Sequence, residues 1–142
     1  MTFFDTSVLT AAAFREHPHH SHSFRTLESA QDRVIAAHSM AEFYSSTTGI
    51  QTRLRIHPQT ILAAVSEWEQ RFRVVALTPR EYSAAISRAA ALGIAGGAVY
   101  DLLIACCALK AKADVLYTWN LRHFLRLGDD VAAIARSPAD AR

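Results

Sequence analysis

The chain has 142 residues, 51% hydrophobic and 20% charged, with a formal net charge of +2. That length suits one domain with a real core, and the composition excludes a disordered or low-complexity chain. The longest apolar run, Leu102 to Leu109, is too short for a bilayer span, which takes roughly 20 residues. A charge of +2 is too small to mark a nucleic-acid binder by itself, although 13 of the 15 basic residues are Arg, the side chain suited to bidentate phosphate contact.

Thr2-Phe3-Phe4 reads as a short strand ending at Asp5, followed by a helix from about Ser7 to Arg15. His17-Pro18-His19-His20-Ser21-His22 reads as a solvated loop, near a partner surface or able to catch a stray metal ion, leading into a helix to about Ala30. Arg33 to Ala37 is a second strand and Ser39 to Thr48 a helix. Pro58, at a first helical position, opens a helix through Phe72. Val74 to Leu77 is a third strand. Pro79 starts a helix to Leu92 that Gly93 closes.

A helix from Val99 to Lys112 follows the Gly96-Gly97 loop, then the strand Asp114 to Thr118. A short helix, Leu121 to Leu127, and a last strand, Val131 to Ala135, complete the pattern, with a frayed tail at 137–142. Cys106 and Cys107 are adjacent, about 100° apart on a helix, and read as small buried hydrophobes. The N-terminus carries no basic segment of the secretory kind, so the expectation is a soluble cytoplasmic protein.

Strands alternating with helices imply a parallel sheet covered on both faces, and nearly all-apolar strands agree. Function then collects beyond the carboxyl ends of the strands. Asp5 ends the first strand, Glu42 follows the second, Thr118 and Asn120 end the fourth, and Asp101 opens the apolar helix before it. Each has an ordinary explanation as a helix cap. Ser39-Met40-Ala41-Glu42 matches a capping box, and Asp5, Asp101 and Asn120 can each cap the helix that follows. Together they put three carboxylates at one sheet edge, where mutual repulsion calls for a hard divalent cation such as Mg²⁺.

The segments Phe4-Asp5-Thr6-Ser7-Val8-Leu9, Ala41-Glu42-Phe43-Tyr44, Tyr100-Asp101-Leu102-Leu103-Ile104-Ala105 and Leu116-Tyr117-Thr118-Trp119-Asn120-Leu121-Arg122-His123-Phe124 resemble, in order and spacing, the PIN-domain ribonucleases, most closely the VapC-type toxins. The resemblance covers nearly the whole chain. It implies a three-layer α/β/α domain over 1–136 with a short central parallel sheet. It also implies a metal-dependent endoribonuclease acting as the toxin of a toxin–antitoxin pair.

By that resemblance Asp5, Glu42 and Asp101 are the metal-binding set, and Asn120 joins them as a catalytic residue supported by Thr118 and Ser7. The family often has Asp where Asn120 and His123 stand here, which implies weaker metal binding, a single metal rather than two, a preference for Mn²⁺ over Mg²⁺, or low activity. A cognate antitoxin, an RNA substrate and a homodimer are the implied partners. Arg53, Arg55, Arg122 and Arg126 are candidate RNA-backbone contacts. His123 reads as a surface residue or a phosphate contact, and Trp68 and Trp119 as core or interface residues. Phe43, Tyr44, Ile61, Leu62, Val65, Trp68 and Phe72 suggest an antitoxin groove or a dimer contact.

Two other readings remain open. A haloacid-dehalogenase-like phosphohydrolase would use Asp5 as nucleophile, but Ser7 stands where that family has a second Asp. A binding module that kept the fold and lost cleavage would explain Asn120 and His123.

Overall fold

The computed structural model describes residues 1–49 and 56–141. Arg53 and Arg55 lie outside them. In chain order the elements are β1 (Thr2–Phe4), α1 (Thr6–Ala13), α2 (His20–Ser29), β2 (Arg33–Ala36), α3 (Ala37–Thr48), α4 (Pro58–Arg71), β3 (Arg73–Val75), α5 (Pro79–Ala91), α6 (Ala98–Lys110), β4 (Val115–Tyr117), α7 (Leu121–Phe124), α8 (Asp129–Ile134) and β5 (Ala135–Arg136). Among the described residues the strands form one sheet in the order β3-β2-β1-β4-β5, every pairing parallel. No helix among them is long and apolar enough to cross a membrane.

Apolar strands bury both faces by alternation. Phe3, Val34, Ala36 and Leu116 turn to one side and pack with Leu102, Ile104, Ala105 and Ala108 of α6 and with Phe124 and Val131. Phe4 and Ile35 turn to the other and pack with Val8, Leu9, Leu27 and Phe72. Helices thus cover both faces, giving the expected three-layer α/β/α architecture.

From β1 the chain winds outward through β2 to β3, then crosses back to place β4 on the other side of β1. The gap between β1 and β4 is the switch point at which open parallel sheets form their clefts. Phe4 pairs with both Ile35 and Tyr117, so the three central strands end level.

Several elements differ from the sequence expectation. Helix α3 begins directly after β2, so Ser39 lies inside it rather than capping it. The Ser39 hydroxyl is buried without a hydrogen-bond partner, and no capping box with Glu42 forms. Helix α6 begins at Ala98, so Asp101 sits within its first turn and does not cap it. The segment read as a strand, Val131 to Ala135, is mostly α8. Asp130 accepts the Val131 N–H and favours a helix start, leaving a strand of two residues. In the 137–142 tail, Pro138–Asp140 form a 3₁₀ turn with Pro138 buried.

The apolar residues of α3 and α4 mostly pack together. Phe43, Ile61 and Phe72 are buried, and the Phe43 and Trp68 rings lie 4.4 Å apart. Only Tyr44 and Leu62 among the seven are exposed large hydrophobics. Cys107 is buried, as expected, while Cys106 is only partly so.

Gly128 sets the entry to α8 at φ 128°, where a Cβ would run into the Arg88 guanidinium. Arg88 pairs with Asp130 (Nη1–Oδ2 2.8 Å) and donates to the Leu127 carbonyl, tying α5 to the α7–α8 turn. Gly128→Ala is expected to cost about 1–3 kcal/mol, read from urea unfolding.

Candidate active site

Asp5 is the centre of the site. It directly follows β1 and its N–H donates to the Tyr117 carbonyl at 3.0 Å, extending the β1–β4 ladder to the switch point. It also caps α1. Its carboxylate is 1% exposed. Ser7 Oγ and Thr118 Oγ1 donate to Oδ2 at 2.6 and 2.8 Å, and the Ser7 N–H approaches the same oxygen at 3.4 Å. Among the described residues Oδ1 accepts no hydrogen bond, and it is not among the fully buried unpartnered atoms. That oxygen is therefore left for the cavity that Asp5 lines.

The two hydroxyls serve twice. Thr118 Oγ1 accepts the Asn120 N–H at 2.9 Å and Ser7 Oγ accepts the Trp119 N–H at 3.0 Å. The turn after β4 is thereby locked onto Asp5. Thr118→Val removes one bond to a charged acceptor and orphans the Asn120 N–H. It is expected to lower stability by about 1–3 kcal/mol and raise the Asp5 pKa further, measured by urea unfolding and by NMR titration.

A cavity of about 470 Å³ opens above Asp5, lined by Asp5, Thr6, Ser7, Thr10, His17, His19, Glu42, Ser46, Asp101, Trp119 and Asn120. The three acidic residues singled out in the sequence line it together, with Asn120, although they come from the residue after β1, from α3 and from α6. Glu42 accepts from Thr6 Oγ1 at 2.6 Å. Asp101 lies 3.3 Å from His123 Nδ1. Asn120 stands at the N-cap of α7 but its side chain makes no cap bond, so its amide is free to face the cavity. Thr118 is buried behind it, while Arg122 and Arg126 are exposed on the flank. Arg126, His123 and Asp101 line a second cavity of about 220 Å³ beside the first.

Electrostatics distinguish the carboxyls. Burial pushes the Asp5 pKa from 3.8 up to about 6, against the pull of the Ser7 and Thr118 hydrogen bonds, and the charges of Asp101 and Glu42 raise it further. Burial also raises the Asp101 pKa, His123 opposes it, and Glu42 adds to the rise. Asp5 and Asp101, whose charged forms burial and the neighbouring carboxylates disfavour, mark a site short of positive charge.

The donor set is all hard oxygen, which fits Mg²⁺ or Mn²⁺ and not a thiolate-seeking metal. As placed, Glu42 is engaged with Thr6 and Asp101 with His123, and among the described residues no three acidic, imidazole or thiol groups converge closely enough to hold an ion.

The cavity also holds residues that the sequence did not point to. His17 and His19 line it, although their segment reads as a solvated loop. Trp119 packs partly against the core, in line with a core reading, and it also lines the cavity and stacks on His19.

A PIN domain family model matches residues 2–129. The fold is similar to that of VapC20 from Mycobacterium tuberculosis, described as a sarcin–ricin loop cleaving toxin. The TM-score is 0.72 at 19% identity, over 94% of this chain and 95% of that one. It is similar to VapBC-1 from nontypeable Haemophilus influenzae, at TM-score 0.66 and 19% identity over 98% of each chain. It is similar also to VapBC2 from Rickettsia felis, solved with a promoter DNA fragment, at TM-score 0.66 and 16% identity over 96% and 97%. No curated protein sequence matches the chain. At these identities the structural likeness speaks for the fold alone.

Proposed function

Because the chain belongs to the PIN-domain family, we propose that it is a metal-dependent endoribonuclease of the VapC toxin kind, hydrolysing RNA phosphodiester bonds. The observation that carries this reading is Asp5: a buried carboxylate at the switch point, with one oxygen bound by two hydroxyls and the other left to a cavity shared with Glu42, Asp101 and Asn120.

Asp5, Glu42 and Asp101 would hold the cation. When bound, a hard divalent ion supplies positive charge to the phosphate and lowers the pKa of a water molecule. The chain's own groups do the rest. Ser7 and Thr118 hold the Asp5 carboxylate in place, while Glu42 and Asp101 would turn from Thr6 and His123 to join it. Glu42, on the cavity wall, would orient the attacking water and take its proton. The Asn120 amide can donate to a non-bridging phosphate oxygen. His123 steadies Asp101, and Arg122 and Arg126 offer phosphate contacts along the flank.

Water attacks phosphorus and the P–O3′ bond breaks. The products are a 3′-hydroxyl and a 5′-phosphate. A cognate antitoxin and a second copy of the chain are the partners that accompany this reading. The VapC likeness of the fold supports the antitoxin.

The experiment is incubation of total cellular RNA with purified, partner-free protein in Mg²⁺, in Mn²⁺ and in EDTA. Discrete fragments that require the cation are expected. Undiminished cutting in EDTA overturns the metal-dependent mechanism. Intact RNA under every condition favours the non-catalytic module, to which the Asn120 and His123 positions give some support.

A further inference from the structure

His19 and Trp119 form the most closely stacked ring pair in the site, and the chemistry above leaves them unused. Their ring centroids lie 3.8 Å apart at an interplanar angle of 13°. Trp119 is held at two points: its indole Nε1–H donates to Ser23 Oγ at 2.8 Å, and its backbone N–H donates to Ser7 Oγ at 3.0 Å. Ser7 is the same residue that fixes Asp5. The stack is thus rigidly referenced to the proposed metal site. His19 itself is exposed, so the stack ends in solvent at the cavity mouth. His17 leans toward it, its ring centroid 5.6 Å from that of His19.

Trp119 packs partly against the Phe4–Ile35 core cluster while His19 is exposed, and both rings line the cavity that holds the carboxylates. The cavity volume, about 470 Å³, falls in the range of small-molecule and cofactor sites, roughly 300–1,000 Å³, large enough for a mononucleotide. Every base has a π-face, and aromatic platforms beside a phosphate site select nucleotides whose bases are free to stack. Bases inside a duplex are not.

We propose that the His19–Trp119 stack is a base platform, on which the nucleobase next to the bound phosphate lies against the exposed His19 ring. This inference rests on the metal–phosphate reading of the carboxylate cavity.

Adenosine 5′-monophosphate and ribose 5-phosphate separate the two ideas, since they share the phosphate and differ by the base. Each is titrated in Mg²⁺ into the full chain, followed by NMR of the Trp119 indole and His19 ring protons, with the Trp68 indole as internal reference. The nucleotide is expected to bind about tenfold tighter than the sugar phosphate. It alone should produce ring-current shifts at His19 and Trp119.

His19→Ala, at an exposed position, is expected to remove most of that preference, and His19→Tyr to keep it. Equal binding of the two compounds by the wild type, or an undiminished preference in His19→Ala, overturns the platform and leaves the phosphate site standing. Binding of neither compound removes the phosphate site on which the platform depends.

Discussion

Asp5→Asn is expected to abolish cleavage and, at neutral pH and without metal, to make the protein more stable. The first effect follows from losing the charged oxygen at the centre of the site. A drop of about 10²–10³-fold is the scale for removing a group that stabilises transition-state charge.

The second follows from linkage. Burial raises the Asp5 pKa from 3.8 to about 6, a shift equivalent to about 3 kcal/mol. Below pH 3.8 the carboxyl is protonated in both the folded and unfolded chains and costs nothing. Between 3.8 and about 6 the unfolded chain ionises first, so the fold loses stability as pH rises. Above about 6 the whole cost is present.

Asn keeps an oxygen to accept from Ser7 and Thr118 and carries no charge to bury. The variant should therefore exceed wild type by up to about 3 kcal/mol above pH 6, and the gap should close toward pH 4. Urea unfolding of both proteins across that range, in EDTA, measures it. A variant less stable than wild type at pH 7 would contradict the assignment of Asp5 as a strained, buried carboxylate.

Cleavage by the wild type should collapse in acid. A carboxyl titrating near 6 in the metal-free protein makes protons compete with the cation below that pH. At subsaturating Mg²⁺ the rate is expected to fall about tenfold for each pH unit below 6, or about a hundredfold by pH 4. Raising Mg²⁺ should shift the apparent midpoint downward. Asp101, also raised by burial, steepens the lower part of the curve. Asp101→Asn, prepared identically, should be inactive at every pH, which separates the chain's own activity from a contaminating nuclease. A rate unchanged from pH 7 to pH 5 would contradict the titration of Asp5.

The carboxylates were legible because topology does the gathering. Once β1, β2 and β4 are recognised as parallel and apolar, Asp5, Glu42 and Thr118 follow their carboxyl ends, and Asp101 comes with the helix that precedes β4. The wall formed by His17, His19 and Trp119 was not. It depends on how α2 docks, through the Trp119–Ser23 hydrogen bond, and no periodicity in a histidine-rich loop encodes such a tertiary contact.

The last strand was misread for a different reason. Val131-Ala132-Ala133-Ile134-Ala135 is a short apolar run that suits strand or helix equally, and only Gly128 with Asp129 and Asp130 ahead of it favours a helix start. Ser39 and Glu42 matched a capping box in spacing, but α3 begins as soon as β2 ends and leaves no loop for a cap. The misreading hid a useful fact. Glu42 is not occupied with a helix end, and it lines the cavity instead.

The central claim is that Asp5, Glu42 and Asp101 jointly hold a divalent cation. Titration of the partner-free protein with Mn²⁺, following the free ion by electron paramagnetic resonance, tests it directly, with Glu42→Gln and Asp101→Asn alongside wild type. The expected result is saturable binding in wild type that weakens at least about tenfold in each variant, since each loses one charged ligand. Binding that is equally tight in all three proteins, or absent from the wild type, would contradict it.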